Sequence, residues 1–236
     1  LEAPSAVVLG IDAMVMDNDE ANVRHGVQPT YKKVKGFAPL QMTWGRFLID
    51  AVFRGGKKHS NSGNSVEQMV RHVVTLIRKH YRGDVPIVVR LDSGFFDQKL
   101  FEFFEELRIG YICTGKLYPD IKAFAAQVPA CVWSEYKRLD QVWRYFEFGN
   151  RRGNWKKMRR AILTRPMAED EQWLFEFARP DTILYTNLGM GEGIDVLLQA
   201  AGLAHWTCPE HVIRLHHSRG ADELVHRALK EFGSET

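Results

Sequence analysis

Two aspartates in this sequence stand where an ionised carboxylate needs compensation. Asp12 interrupts the apolar run from Ala6 to Met16, and Asp92 closes the run Ile87-Val88-Val89-Arg90-Leu91 just before Ser93-Gly94. Inside or at the end of a strand, an unpaired carboxylate costs several kcal/mol, and a metal ion removes that cost. Taken singly, each also fits an ordinary structural role: Asp12 as a hydrogen-bonded strand-end residue, Asp92 as a cap of the turn that Ser93-Gly94 allows. Asp92 has the more telling position, because carboxyl ends of strands are where α/β sheets place ligand sites.

A third acid lies on a late helix. Thr207 and Glu210 form a capping box with Pro209 in the first turn, which predicts a helix running toward Phe232. At about 100° per residue, His216, Arg219, Glu223 and Lys230 fall within about 60° of arc. Ile213, Ala221, Leu224, Val225, Ala228, Leu229 and Phe232 take the opposite side, so one face is buried and the polar stripe is presented elsewhere. A solvated face has the same pattern. Two acids at strand ends and one on a helix nonetheless form the donor set that two-metal phosphoryl transfer needs: carboxylate oxygens for two Mg²⁺ ions roughly 4 Å apart.

A second cluster is basic. Arg151, Arg152, Lys156, Lys157, Arg159, Arg160 and Arg165 surround Trp155, with no acid between Phe148 and Ala168. That composition suits backbone phosphates with base stacking on the indole, and it also suits a solvated basic hairpin. His205, Cys208, His211, His216 and His217 match no standard zinc spacing, and the helix start accounts for the segment. There is no glycine-rich phosphate loop and no Ser-His-Asp arrangement.

The elements that must carry these residues follow from periodicity. Ala6–Met16, Phe37–Met42 and Phe47–Phe53 predict three consecutive strands in an antiparallel meander. Ser65 with Gln68 reads as a capping box for a helix carrying Val66, Met69, Val70, Val73, Val74, Ile77 and Tyr81. A strand from Pro86 to Leu91, a helix from about Asp97 to Leu107 and a strand from Gly110 to Thr114 come next. This order predicts an α/β fold, a ribonuclease-H-like mixed sheet flanked by helices. From Leu117 the texture changes to short aromatic segments, Val132–Tyr136, Gln141–Phe148, Met158–Thr164, Trp173–Phe177 and Thr182–Asn187, which predict a β-rich insertion. The expected division is core at 1–116, insertion at 117–188, and core again at 189–236 with the helix bearing Glu223. Met14, Met16, Phe101, Phe103 and Phe104 are expected as core filler.

His216, Arg219, Glu223 and Lys230 repeat the late signature of the IS4 superfamily of DDE transposases, Tyr-x2-Arg-x3-Glu-x6-Lys, with histidine at the tyrosine position. Arg90-Leu91-Asp92-Ser93-Gly94-Phe95 resembles the second-Asp motif of its IS1380-like branch. Val8-Leu9-Gly10-Ile11-Asp12 resembles the first-Asp strand, and Tyr185-Thr186-Asn187-Leu188 the strand before the last helices. The resemblance implies a DNA transposase in which Asp12, Asp92 and Glu223 hold Mg²⁺, with Mn²⁺ as substitute. Water would then be activated to nick DNA, and the freed 3′-hydroxyl would attack a target strand. It implies Arg219 and Lys230 on phosphates near the cut, His216 in the tyrosine's place, transposon ends and target as partners, and a homodimer on DNA. A catalytically dead DNA-binding remnant and a nuclease that cuts without joining are the alternatives it leaves.

Bulk properties agree with an intracellular enzyme. The chain has 236 residues, 45% of them apolar, and a net charge of +3, too small to identify a partner by itself. Its three cysteines, Cys113, Cys131 and Cys208, are far apart and odd in number, as expected in a reducing cytoplasm. No apolar run approaches the roughly 20 residues of a membrane helix. The expected location is therefore cytoplasmic and nucleoid-associated, without a membrane, and the abrupt ends at Leu1 and Thr236 fit a trimmed fragment.

Overall fold

Alternation along β1 (Val7–Ala13) sets the fold: Val7, Leu9 and Ile11 are buried, whereas Asp12 is exposed. The computed structural model describes residues 6–20, 27–138, 141–167 and 181–189. Within them β1 is an interior strand of a nine-stranded mixed sheet. On one side it pairs antiparallel with β5 (Leu40–Trp44), which pairs antiparallel with β6 (Phe47–Val52). On the other it pairs parallel with β7 (Ile87–Leu91), which pairs parallel with β8 (Gly110–Thr114). The spatial order β6-β5-β1-β7-β8, with two parallel steps after an antiparallel meander, is the ribonuclease-H-like core expected from the element order. Strands β2 (Met16–Asp17), β3 (Gln28–Pro29) and β4 (Lys35–Phe37) form a separate three-stranded sheet, too short to leave a period in the sequence.

The helices follow the apolar spacing. In α1 (Ser65–His80) Val66, Met69, Val70, Val73 and Val74 are buried and join one core cluster with Leu9, Ile11 and Val89. Its start differs from the expected capping box: Asn64 is the cap residue, Ser65 is already helical, and no side chain caps the end. In α2 (Gln98–Glu106) the Asp97 carboxylate accepts from the amides of Lys99 and Leu100, and Leu100, Phe101, Phe103 and Phe104 are buried. Phe101 stacks on Tyr111 with ring centroids 4.6 Å apart. Met16, by contrast, is exposed rather than core.

The stretch after Leu117 begins with a helix the aromatic texture concealed, α3 (Pro119–Gln127), with proline in its first turn and Ile121 and Ala125 buried one turn apart. Its remaining elements are β-rich, as expected. Strands β9 (Ser134–Arg138), β10 (Gln141–Asn150), β11 (Arg159–Met167) and β12 (Thr182–Thr186) continue the core sheet, all antiparallel, in the order β8-β12-β11-β10-β9. The expected strand Trp173–Phe177 and the last helices lie outside the described residues.

The join between β8 and β12 is secured by side chains. Asn187 accepts from the Tyr111 amide at 2.9 Å and donates to the Ile109 carbonyl at 2.9 Å. Thr186 Oγ1 donates to the Tyr111 carbonyl at 2.6 Å and accepts from the Leu188 amide at 3.1 Å. Asn187→Ala would leave both the Tyr111 amide and the Ile109 carbonyl without these partners. We expect it to lower unfolding free energy by roughly 1–3 kcal/mol, measured by urea denaturation.

Candidate active site

Ile11 and Leu91 are register partners in the parallel β1–β7 ladder, so Asp12 and Asp92 are the next residues on neighbouring strands. Neighbouring strands lie about 4.8 Å apart. Ile11 and Leu91 are both buried, and strand alternation turns the following residue on each strand to the opposite face. The two carboxylates therefore emerge side by side at the carboxyl end of the sheet.

Each is held by its own backbone. Asp12 Oδ1 accepts from the Ala13 amide at 2.7 Å. Asp92 has extended dihedrals, caps the 3₁₀ turn Ser93–Phe95, and accepts on Oδ1 from the Gly94 amide at 2.9 Å. Gly94 lets the turn approach closely: a Cβ there would lie 2.6 Å from Ser60 Oγ and 3.0 Å from Asp92 Oδ1 and would displace those side-chain oxygens. Behind the turn, the buried Cys113 thiol donates to the Asp92 carbonyl at 3.4 Å. Burial above all, and then the Asp92 charge, push that thiol far up, so it stays neutral.

The pair is electrostatically costly. Burial, followed by the charge of Asp12, raises the Asp92 carboxyl above the usual carboxylate range, and the amides of Gly94 and Phe95 pull it partly back. Tyr31 feels the same field: partial burial, then Asp12, then Asp92 push its phenol up, although the ring is 62% exposed. A donor set of two hard oxygens in a half-dry, mutually repelling pair fits a divalent cation. No group of three potential metal ligands converges among the described residues, and Glu223, His216, Arg219 and Lys230 lie outside them.

Tyr31 was not marked by any sequence pattern. It sits in a turn closed by the Thr30 amide on the Val34 carbonyl at 2.8 Å, near enough to Asp12 and Asp92 to feel both charges. Arg54 was equally silent. It is buried, donates from Nε to the Ala38 carbonyl at 3.0 Å and from Nη1 to the Ser60 carbonyl at 3.1 Å, and so fixes the loop that meets Gly94.

The basic run behaves differently from its composition. Trp155 is only 7% exposed and packs among Phe96, Phe101 and Tyr185, so its expected role in base stacking is corrected to a core role. Arg159 is buried against the Phe101 and Trp155 rings and pairs with Glu105 at 3.2 Å; Arg160 is buried and pairs with Glu147 at 2.7 Å. Neither guanidinium faces a phosphate from outside, because alternation alone cannot expose either residue on a strand covered on both faces. Arg152 lies 3.5 Å from the Tyr118 ring centroid. Arg151, Lys156 and Lys157 remain exposed, with Lys156 beside Glu102 and Lys157 beside Glu105.

The family model described as Transposase DDE domain group 1 matches residues 2–235. Among solved structures, the chain is similar to a piggyBac transposase determined as a synaptic complex with hairpin DNA, at 14% identity and a TM-score of 0.41. That match covers 78% of this chain and 33% of the other, so this chain spans about a third of its length. No curated protein matches it in sequence.

A raised carboxyl sets the sign of a pH effect. In the cation-free protein ionised Asp92 opposes folding, so its contribution to stability is fully present below the ordinary aspartate range and is lost as pH rises through the raised value. Asp92→Asn is therefore expected to melt at a higher temperature than the wild type at pH 7 without divalent cations. The gap should close toward pH 4, as read by differential scanning calorimetry.

Proposed function

The chain belongs to the transposase DDE domain family, and from that premise we propose that it is the catalytic domain of a bacterial insertion-sequence transposase of the IS4 superfamily, IS1380-like branch. The observation that carries the proposal is the side-by-side exit of Asp12 and Asp92 from β1 and β7. Glu223, on the signature helix, is the third member of the triad. In this reading segment 117–188 is the insertion into the core, and 189–236, which carries the signature motif, would complete the core.

Asp12, Asp92 and Glu223 would hold Mg²⁺, or Mn²⁺ in its place, and the cation would supply charge neutralisation and Lewis-acid polarisation at the scissile phosphate. The chain's own residues do the rest. The Gly94 amide fixes Asp92 through Oδ1 and leaves Oδ2 for the ligand. The neutral Cys113 thiol and the packed 3₁₀ turn hold the Asp92 backbone on either side of that carboxylate. His216, Arg219 and Lys230 bind phosphate oxygens beside the cut. Arg151, Lys156 and Lys157 bind DNA farther out, since exposed ion pairs such as Lys156 with Glu102 contribute little and yield to phosphate. The protein acts as a dimer on transposon ends, at the nucleoid in the cytoplasm. Among the described residues no helix is long and apolar enough to cross a membrane.

The test is an end-labelled transposon-end assay with Mg²⁺. Asp92→Ala and Glu223→Ala should each lose cleavage by at least about a hundredfold, the scale of removing one transition-state contact, while still binding DNA. Undiminished cleavage by either variant contradicts the triad, and nicking without joined products would favour a nuclease.

A further inference from the structure

The acids are not alone at their end of the sheet. The turn holding Tyr31 continues through Lys32 and Lys33, both exposed. The loop after β6 carries Lys57, Lys58 and His59, also exposed. Close contacts tie the Lys57 loop to β3 and to the Asp92 turn. The Lys57 amide donates to Gln28 Oε1 at 3.3 Å, and a Cβ on Gly56 would lie 2.3 Å from the Gln28 carbonyl and 2.6 Å from that of Gly36. Farther along, Ser60 touches Gly94 beside Asp92, and Arg54 ties Ser60 to Ala38.

These lysines differ in two ways from the basic run around Trp155. Among the described residues, no acid forms an ion pair with Lys32, Lys33, Lys57 or Lys58, whereas Lys156, Lys157, Arg159 and Arg160 are all matched by Glu102, Glu105 or Glu147. The nearest acid contact in the turn is a backbone one, the Lys35 amide on Asp19. Lys33 also holds φ at 64°, a left-handed conformation in which glycine would be less strained. That backbone sets the direction in which the Lys33 side chain leaves the turn.

We propose that the Tyr31–Lys33 turn and the Lys57–His59 loop form a cationic rim that grips the backbone of the DNA strand entering the Asp12–Asp92 site. This rests on the transposase reading and adds a substrate path to it. Among the described residues the rim carries no ion pair, which leaves its charges open to phosphates. Tyr31, between the rim and the acids, offers its hydroxyl to a phosphate oxygen, and Arg54 is a positioning residue that holds the loop from within.

The test is fluorescence anisotropy of a labelled DNA duplex with the full chain, in Ca²⁺ to suppress cutting, across a salt series. The variant Lys32→Gln/Lys33→Gln/Lys57→Gln/Lys58→Gln should bind at least about tenfold more weakly near 0.1 M salt. Its slope of log affinity against log salt should be shallower by about 2–4, close to one for each phosphate that is no longer neutralised. Lys79→Gln, in the last turn of α1 toward the opposite end of the sheet, should change neither. Melting curves check that each variant is folded. If the quadruple variant keeps wild-type affinity and slope while the wild type binds and cuts DNA, the rim is wrong and the triad stands. The rim is equally overturned if Lys79→Gln weakens binding as much. If the wild type neither binds nor cuts DNA, rim and transposase reading fall together.

Discussion

Parallel pairing of β1 with β7 is the constraint on which the site depends. It alone brings a residue near the start of the chain beside one 80 positions later, in register, at the carboxyl end of a sheet. The same pairing creates the problem that the surroundings must manage, because burial and then the charge of Asp12 raise the Asp92 carboxyl. Amides from the Gly94 turn offset some of that repulsion. A divalent cation would offset the remainder, so the fold stores a preference for the bound state in its own electrostatics.

Rigid support for that pair comes from both sides. On one, β5 and β6 complete the meander. On the other, β12 hydrogen-bonds to β8, and Asn187 and Thr186 satisfy the backbone at Ile109 and Tyr111. Phe96 ends the Asp92 turn and meets Trp155 and Tyr185, which links the edge that carries Asp92 to the strands that follow α3. The two halves of the sheet thus share one aromatic core, and displacement of the later strands would be felt at Asp92.

The core was legible because its elements are long and periodic. The alternation in β1, the apolar spacing in α1 and the cap at Asp97 each announce their structure locally. Asp12 and Asp92 were legible as misplaced charges in apolar runs. Trp155, Arg159 and Arg160 were not, since composition registers a basic run but not which of its charges meet Glu105 and Glu147 from distant elements. Tyr31 and Arg54 were invisible for a related reason. Their neighbours are fixed by two- and three-residue strands that carry no period, and by loop contacts that exist only after folding.

The central claim is that Asp12 and Asp92 are two legs of a three-carboxylate metal site completed by Glu223. Its most direct measurement is an anomalous-difference map from crystals of the full chain grown with Mn²⁺ near neutral pH. The account predicts a peak bridging Asp12 and Asp92, with a Glu223 oxygen within about 2.0–2.6 Å, the range for hard divalent cations on oxygen ligands. Full-occupancy Mn²⁺ elsewhere with none at this pair, or a bound ion with Glu223 facing away from it, would contradict it.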